Sequence, residues 1–320
     1  MKHNSRITMS IAAYLKTIGR GKDGARPLTV EQAHDLLNQV FEGHVTDLEI
    51  GAFCLAMRIK GEEVSELQGF VQAAAEHSLP LAEAASALKR PVVVLPSYNG
   101  ARKLPNLTPL LAWALAQRDV SVLVHGPQDK TRVTTGQIFE ALQWPIVADA
   151  VGLQAAWQQG QPAFMETATL CRPLAKLLDV RWVVGLRNPG HTVAKILDPF
   201  ASAGVPSIRV VNHTHPEYAV SLTQYLAQTH ARALLMRGTE GEPVADARRQ
   251  PRFDVFVDGI KRDDLSRTPQ EGVLVDLPDL PTTIDAQTTA AYIRDVIAGV
   301  RPLPASIATQ VDCLYQALLA

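Results

Sequence analysis

Residues 92–103, VVVLPSYNGARK, decide how the rest of the chain is read. Val92–Leu95 are apolar without interruption and mostly β-branched, the pattern of a strand buried on both faces. Pro96–Lys103 carry turn residues, and LPNLTPLLAWAL (104–115) reads as a helix entrance. Strand, glycine turn and helix N-terminus are the parts of a phosphate cradle. This turn has only one glycine, Gly100, and no acid to hold a metal; it carries Arg102 and Lys103 instead.

Downstream, VSVLVHG (120–126), RWVVGL (181–186), SIRVVN (207–212) and RALLMRG (232–238) are further short, two-sided apolar runs. Helical stretches lie between them, so the pattern predicts a parallel sheet covered on both faces. RFDVFVDG (252–259) adds a strand with period two, and TTAAYIRDVIAG (288–299) and ASIATQVDCLYQALLA (305–320) read as helices. Upstream, residues 10–78 predict a small helical bundle. Thr29–Gln32, Thr46–Glu49 and Ser65–Gln68 each fit a capping box, with Val45 and Ile50 as a hydrophobic staple. The following apolar stripes run through Ala33, Leu36, Leu37 and Val40, through Ile50, Phe53, Cys54 and Met57, and through Leu67, Phe70, Val71 and Ala74. PAFMETATLCRPLAKLLD (162–179) and NPGHTVAKILDPF (188–200) interrupt the α/β rhythm as expected helices that complete the bundle.

The 320 residues suffice for a large core and two domains. No apolar run spans a bilayer, and MKHNSRITMS (1–10) lacks the apolar core of a signal peptide. Cys54, Cys171 and Cys313 are far apart without metal spacing, which points to a reducing cytoplasm and to thiols used as small hydrophobes. The net charge of −1 argues against a nucleic-acid binder, but its distribution does not. Residues 90–209 hold twelve basic side chains against seven acidic ones, enough for a local positive field.

PLTVEQAHDLLNQVFEGHVTDLEIGAFCLAMRIKGEEVSELQGF (27–70) resembles the N-terminal helical domain of anthranilate phosphoribosyltransferases and pyrimidine nucleoside phosphorylases, glycosyltransferase family 3. The combination of D-x-E-I-G-A-F with A-M-R-I-K-G-E carries the likeness. The resemblance implies an α/β fold: a doubly wound, mostly parallel sheet domain plus a smaller, discontinuous all-helical domain. The expected domains are 1–80, completed by helices within about 162–200, and an α/β domain of 88–161 and 201–320. It also implies a homodimer through the helices.

The catalytic positions depart from that family. Its Gly-Thr-Gly-Gly-Asp turn falls on Pro96–Gly100, and two small positions beyond become Arg102 and Lys103. Asn106 and Thr108 match a family Asn-x-Ser/Thr that touches the phosphoribosyl group. His125 and Gly126 match as well, but the lysine before them is Val124 and the asparagine after them is Pro127. The family's His-Gly-x-Asp-Gly-Leu-Asp-Glu becomes Arg237–Val244, with Pro243 and Val244 replacing the magnesium-binding acids. Proline and valine side chains offer a hard cation no oxygen. GHTVAKILDPF, HPEY and ALLMRGTEGE are similar to a divergent YbiB-like branch that binds nucleic acid.

These features imply no cofactor, no metal, no membrane partner and no phosphoribosyl transfer. They imply a cytoplasmic protein that binds nucleic acid, single-stranded DNA or RNA, mostly through phosphate. The candidate contacts are Arg102, Lys103, Lys130, Arg132, Arg172, Lys176, Arg187, His191 and Lys195. Arg172 and Lys176, like Arg187, His191 and Lys195, recur every four residues and so share helix edges. A phosphoribosyltransferase or phosphorylase is the alternative, and solvated surface charge is the plain reading of the basic set. Tyr98 and Tyr218 are possible stacking platforms. His213 and His215 lack further metal ligands, and Arg248, Arg249 and Arg252 sit beside Asp246 and Asp254 in an expected solvated loop.

Overall fold

The computed structural model of the protein describes residues 10–272 and 277–320. The stretch read against a signal peptide lies, except for Ser10, outside the described residues. In chain order the helices are α1 Ala12–Ile18, α2 Gly21–Gly24, α3 Val30–Phe41, α4 Asp47–Lys60, α5 Val64–Glu76 and α6 Ala82–Leu88. Strand β1 Val92–Pro96, α7 Thr108–Ala116, β2 Ser121–Gly126, α8 Thr135–Leu142, α9 Ala150–Gln158 and β3 Ala163–Glu166 follow. Then come α10 Thr167–Leu170, α11 Arg172–Val184, α12 Pro189–Ile196, β4 Ser207–His213 and α13 Glu217–Gln228. The chain continues with β5 Ala233–Arg237, β6 Phe253–Val257, β7 Ile260–Lys261, α14 Ala286–Ile297 and α15 Ala305–Leu319.

The chain divides into two compact units. The helical unit contains the residues through Ser78 together with Cys171–Leu197. Most of its sequence stripes form its core: Leu36, Leu37, Phe53, Met57, Leu67, Phe70 and Ala74 are buried, Ile50 and Val71 only partly so, and Phe53 meets Phe70 edge-on at 5.8 Å. Thr29 and Thr46 accept from the N3 amides of α3 and α4, and Gln32 and Glu49 reach back, as the capping pattern requires. At α5 the pattern misplaces the cap. Glu63 is the N-cap, and its amide donates to Glu66, while the Ser65 hydroxyl donates to the Leu28 carbonyl. Glu66 outcompetes Gln68 because its carboxylate also collects the Leu28 amide and the Lys60 ammonium.

The sheet unit contains Leu79–Leu170 and Asp198–Ala320. Its strand order is β3-β2-β1-β4-β5-β6-β7. The first five strands in that order pair in parallel, and β6 and β7 pair antiparallel. β1 and β2 are buried throughout. Two expected elements change. RWVVGL is the last turn of α11 and the Gly185 cap, because the apolar run continues the periodicity of 172–180 and ends at a left-handed glycine. PAFMETATL, expected as helix, opens with β3; Ala163, Phe164 and Met165 pair with Leu123, Val124 and His125. A four-residue apolar run does not separate helix from strand by period. Residues 162–170 therefore belong to the sheet unit, and the helical unit resumes at Cys171. Cys54, Cys171 and Cys313 are all buried and free. Among the described residues no helix is long and apolar enough to cross a membrane.

Candidate functional site

The winding order reverses at β1, whose neighbours are β2 and β4. The crevice beyond the carboxyl ends of strands at such a switch point is where open α/β sheets bind ligands. The chain leaves β1 through Ser97, whose amide donates to the His125 carbonyl (2.8 Å). Ala101 then pairs with Val133 through reciprocal hydrogen bonds of 2.7 and 3.2 Å. Gly100 lies between them at φ +75°, and a Cβ there would meet Arg132 Cβ and the Val133 carbonyl oxygen at 3.0 Å. The turn therefore requires glycine at this position.

The tight turn aims its amides at one atom. Glu242 Oε1 accepts from the amides of Asn99 (2.7 Å) and Gly100 (2.6 Å). Its Oε2 accepts from the Ser97 hydroxyl, from Asn106 Nδ2 (3.3 Å) and from Thr135 Oγ1 (3.5 Å). Asn106 also donates to Thr135 (2.7 Å) and accepts the Thr108 amide (3.0 Å), so it ties the cradle to the start of α7. Glu242 is 1% exposed. Burial pushes its carboxyl up from the ordinary range, and the donors at Ser97, Gly100, Asn99 and Asn106 pull against that shift.

A second carboxylate sits alongside. Glu240 Oε2 accepts from the consecutive amides of Arg102 (2.8 Å), Lys103 (2.9 Å) and Leu104 (3.1 Å). Partial burial pushes Glu240 up, but those amides and the Arg102 guanidinium outweigh it and hold the carboxyl below its ordinary range. Both acids stand on a closed loop after β5. The Thr239 amide and hydroxyl donate to the Val244 carbonyl (3.0 and 2.9 Å), and the Glu242 amide donates to the Thr239 carbonyl (2.9 Å). The backbone run that resembles a phosphate cradle is thus filled by two side chains of the same unit. Sequence reasoning had the segment Arg237–Val244 in view and missed Glu240 and Glu242. The available signal was the alternation T-E-G-E, in which two acids flank a turn glycine.

The expected basic contacts divide by burial. Arg102, Lys103, Lys130, Arg172 and Lys176 are exposed, and Arg132 and Arg187 are partly so. His191 and Lys195 are buried, each 6% exposed, which corrects the expectation that they share an open helix edge with Arg187. His191 closes the first turn of its own helix, with Nδ1 accepting from the Asn188 amide (3.3 Å). Burial and the Arg187, Arg181 and Arg58 guanidiniums push it down to about 3, so it is neutral at ordinary pH and neutralises no phosphate. Burial lowers Lys195 to about 8, with Glu62 holding it up and Arg187 pressing it down. Of the residual phosphoribosyl-site matches, Asn106 and Thr108 are buried at the cradle, and His125 and Gly126 are buried at the end of β2. Tyr98 is partly buried in the turn, and Tyr218 lies 6.4 Å from His215 between ring centroids. Arg248 and Arg252 pair with Asp246 (2.7 Å) and Asp254 (2.9 Å).

The model for the "Glycosyl transferase family, helical bundle domain" matches residues 12–78. The "Uncharacterized protein YbiB" of Escherichia coli K12 is 39% identical over 306 residues, covering 95% of this chain and 93% of YbiB. The chain belongs to glycosyltransferase family 3. An anthranilate phosphoribosyltransferase of Symbiobacterium thermophilum is 25% identical over 72% of the chain and 64% of its own length. Among solved structures, the anthranilate phosphoribosyltransferase of Thermus thermophilus superposes with TM-score 0.70 at 20% identity, over 95% of this chain and 88% of that one. The Saccharomyces cerevisiae enzyme solved with PRPP and Mg gives 0.68 at 13% identity, over 97% and 88%. These likenesses show the fold.

The magnesium that accompanies this fold in the yeast enzyme does not fit the family 3 residues present here. Pro243 and Val244 supply no side-chain oxygen, Val244 is buried, and both nearby carboxylates are committed to amides. Among the described residues no group of three or more His, Cys, Asp or Glu side chains is placed to hold a metal.

Proposed function

We propose that this chain is a non-catalytic nucleic-acid-binding member of glycosyltransferase family 3. The observation that carries the proposal is Glu242 in the cradle. The amides that would receive a substrate phosphate are occupied by a buried carboxylate of the same unit. Free anions then meet side-chain cations, among them exposed Arg102 and Lys103 on the turn and Arg172 and Lys176 on α11. Lysine and arginine set along a backbone favour phosphate contacts with little base discrimination. The helical unit adds a further feature. Leu48, Leu55 and Ile59 are exposed along one side of α4, an apolar stripe suited to a second copy of the chain.

Mixed-sequence single-stranded oligonucleotides titrated across a salt series test this reading. Affinity should fall steeply with salt, and each lost phosphate contact should reduce the logarithmic slope by about 0.7. Arg102→Ala with Lys103→Ala should lower both affinity and slope on every sequence. Salt-independent or absent binding would sink the proposal. Light scattering at micromolar concentration checks the dimer; a monomer contradicts it.

A second reading is phosphoribosyl transfer or phosphorolysis on an unidentified base. It is favoured by the shared fold and by Asn106 and Thr108, buried where the family pattern has them. That reading needs residues 238–244 to leave the cradle. Assay with anthranilate, phosphoribosyl pyrophosphate and Mg²⁺ separates the two. Turnover in the ordinary range of about 1–10³ per second would establish the second.

A further inference from the structure

We propose that the β1–α7 turn is an oxyanion receptor whose occupant is the protein's own Glu242, and that it accepts a free orthophosphate-class anion once that carboxylate is removed. The inference shares with the nucleic-acid reading the observation that Glu242 fills the cradle, but it uses none of the exposed cations, so binding of oligonucleotide and of phosphate can fail separately.

The receptor is scaffolded without its occupant. The Ser97 amide is held by the β2 carbonyl of His125, and Ala101 and Val133 clamp the far side of the turn. Asn106 is fixed by the Thr108 amide. Thr135 opens α8, whose capping box is closed by Thr134 and Gln137. None of these contacts involves residues 238–244. The same turn is also tied to Glu240, whose carbonyl takes Asn99 Nδ2 and whose carboxylate takes the amides of Arg102, Lys103 and Leu104, so the donors are held in place by contacts that do not pass through the Glu242 side chain.

The donor set matches an oxyanion. Two consecutive amides reach one oxygen at 2.7 and 2.6 Å, and two hydroxyls and a carboxamide reach the other. Carboxylate and phosphate oxygens are the groups such amide nests bind. No cation is among the donors, so the site holds its occupant with dipoles alone. An internal carboxylate attached by a short loop has a large advantage over a free anion, since no translational freedom is lost when it binds. The loop is a self-contained unit closed by the Thr239–Val244 hydrogen bonds, and Gly241 at φ +89° lies between the two acids. Truncating Glu242 removes the plug and leaves the receptor.

The test uses the full chain as wild type, Glu242→Ala and Glu66→Ala, the last a buried carboxylate in the helical unit that serves as a control for general destabilisation. Thermal unfolding is followed in phosphate-free buffer with added orthophosphate, with formate, and with chloride at matched ionic strength. Glu242→Ala should gain roughly 2–5 °C from phosphate at about a hundredfold excess over its dissociation constant. Wild type and Glu66→Ala should gain no more than the general salt effect that excluded anions exert on any protein. A phosphate response of Glu242→Ala equal to that of either control overturns the proposal. If Glu242→Ala does not fold in chloride, refolding in phosphate or formate supports it, and failure in both overturns it. Oligonucleotide affinity measured on the same variant separates this outcome from the nucleic-acid reading.

Discussion

Glu66 in the helical unit and Glu242 in the sheet unit are buried glutamates that both collect backbone amides, but they are held in different ways. Glu66 takes the amides of Leu28 and Glu63 at 3.0 and 2.9 Å and pairs with Lys60 at 2.6 Å. Glu242 takes two amides, two hydroxyls and a carboxamide, with no cation among them. Glu66 is a helix cap with its own counter-ion. Glu242 is a carboxyl group in a receptor built by other elements. A carboxylate that lacks a charged partner needs many donors to remain buried, and the strand–turn–helix geometry of this fold supplies them.

Truncation gives the largest expected effect. Glu66→Ala leaves the mostly buried Lys60 ammonium with the Gly61 carbonyl but without its ion-pair carboxylate, and should cost about 3–5 kcal/mol. Glu242→Ala leaves two amides, one of the paired Ser97 and Thr135 hydroxyls and one Asn106 N–H short of an acceptor and should cost a similar amount, about 3–4 kcal/mol. Urea unfolding measures both. The contrast lies in rescue: phosphate should restore part of the loss at Glu242 and none at Glu66. A loss below about 1 kcal/mol at Glu242 would mean that the cradle holds water as readily as a carboxylate.

The two sites also differ in how far the sequence announces them. Glu66 sits three residues after the cap it serves, so the helix start was legible and only its register was wrong. The side-chain hydrogen-bond partners of Glu242 lie 107–145 residues away. No local pattern links them, and TEGE reads as an ordinary polar loop. The turn itself was legible from strand, glycine and helix entrance; the carboxyl group that its amides meet was not. His191 and Lys195 show the converse error. Four-residue spacing says which residues share a helix edge, but whether that edge faces solvent depends on what packs against it.

Lys195 sharpens the contrast with a cation. Its folded pKa of about 8 lies below the ordinary 10.5 because burial penalises the charged form. Below pH 8 both states are protonated and the penalty is present in full. From pH 8 to 10.5 the unfolded chain binds more protons than the folded one, so this term raises stability with pH. The gain is about 3 kcal/mol across that window. Lys195→Met removes the term. The difference between wild-type and variant stability, followed by urea unfolding from pH 7 to 10.5, should move by that amount toward wild type. A flat difference would mean that Lys195 is solvated.

A smaller effect is expected where the acidic loop turns. Gly241 has φ +89°, and a Cβ would come within 3.1 Å of Asn99 Nδ2, 3.3 Å of Thr214 Cγ2 and 3.4 Å of the Tyr98 hydroxyl. Gly241→Ala should cost about 1–2 kcal/mol in backbone strain and crowding. It keeps the Glu242 carboxylate, so it should bind phosphate no better than wild type. A phosphate response in this variant would show that the loop opens under strain alone.

The smallest effects test the register of the caps. Thr46 Oγ1 accepts from the Glu49 amide at 3.3 Å, and Glu49 Oε2 accepts from the Thr46 amide at 2.9 Å and the Thr46 hydroxyl at 2.8 Å. Thr46→Ala should cost about 1 kcal/mol. Gln68, which the sequence pattern made the partner of Ser65, has that role taken by Glu66, which accepts from the Glu63 amide. Gln68→Ala also replaces a good helix former with a better one, so it should change stability by less than about 0.5 kcal/mol. Urea midpoints for the two variants, measured together, check the pair. A loss near 1 kcal/mol at Gln68 would return the cap to Ser65 and start α5 later. It would also free Glu66 from capping, leaving its carboxylate to the Leu28 amide and Lys60 alone. The helical unit's buried glutamate would then resemble Glu242 less, as a local ion pair and no longer a collector of helix-end amides.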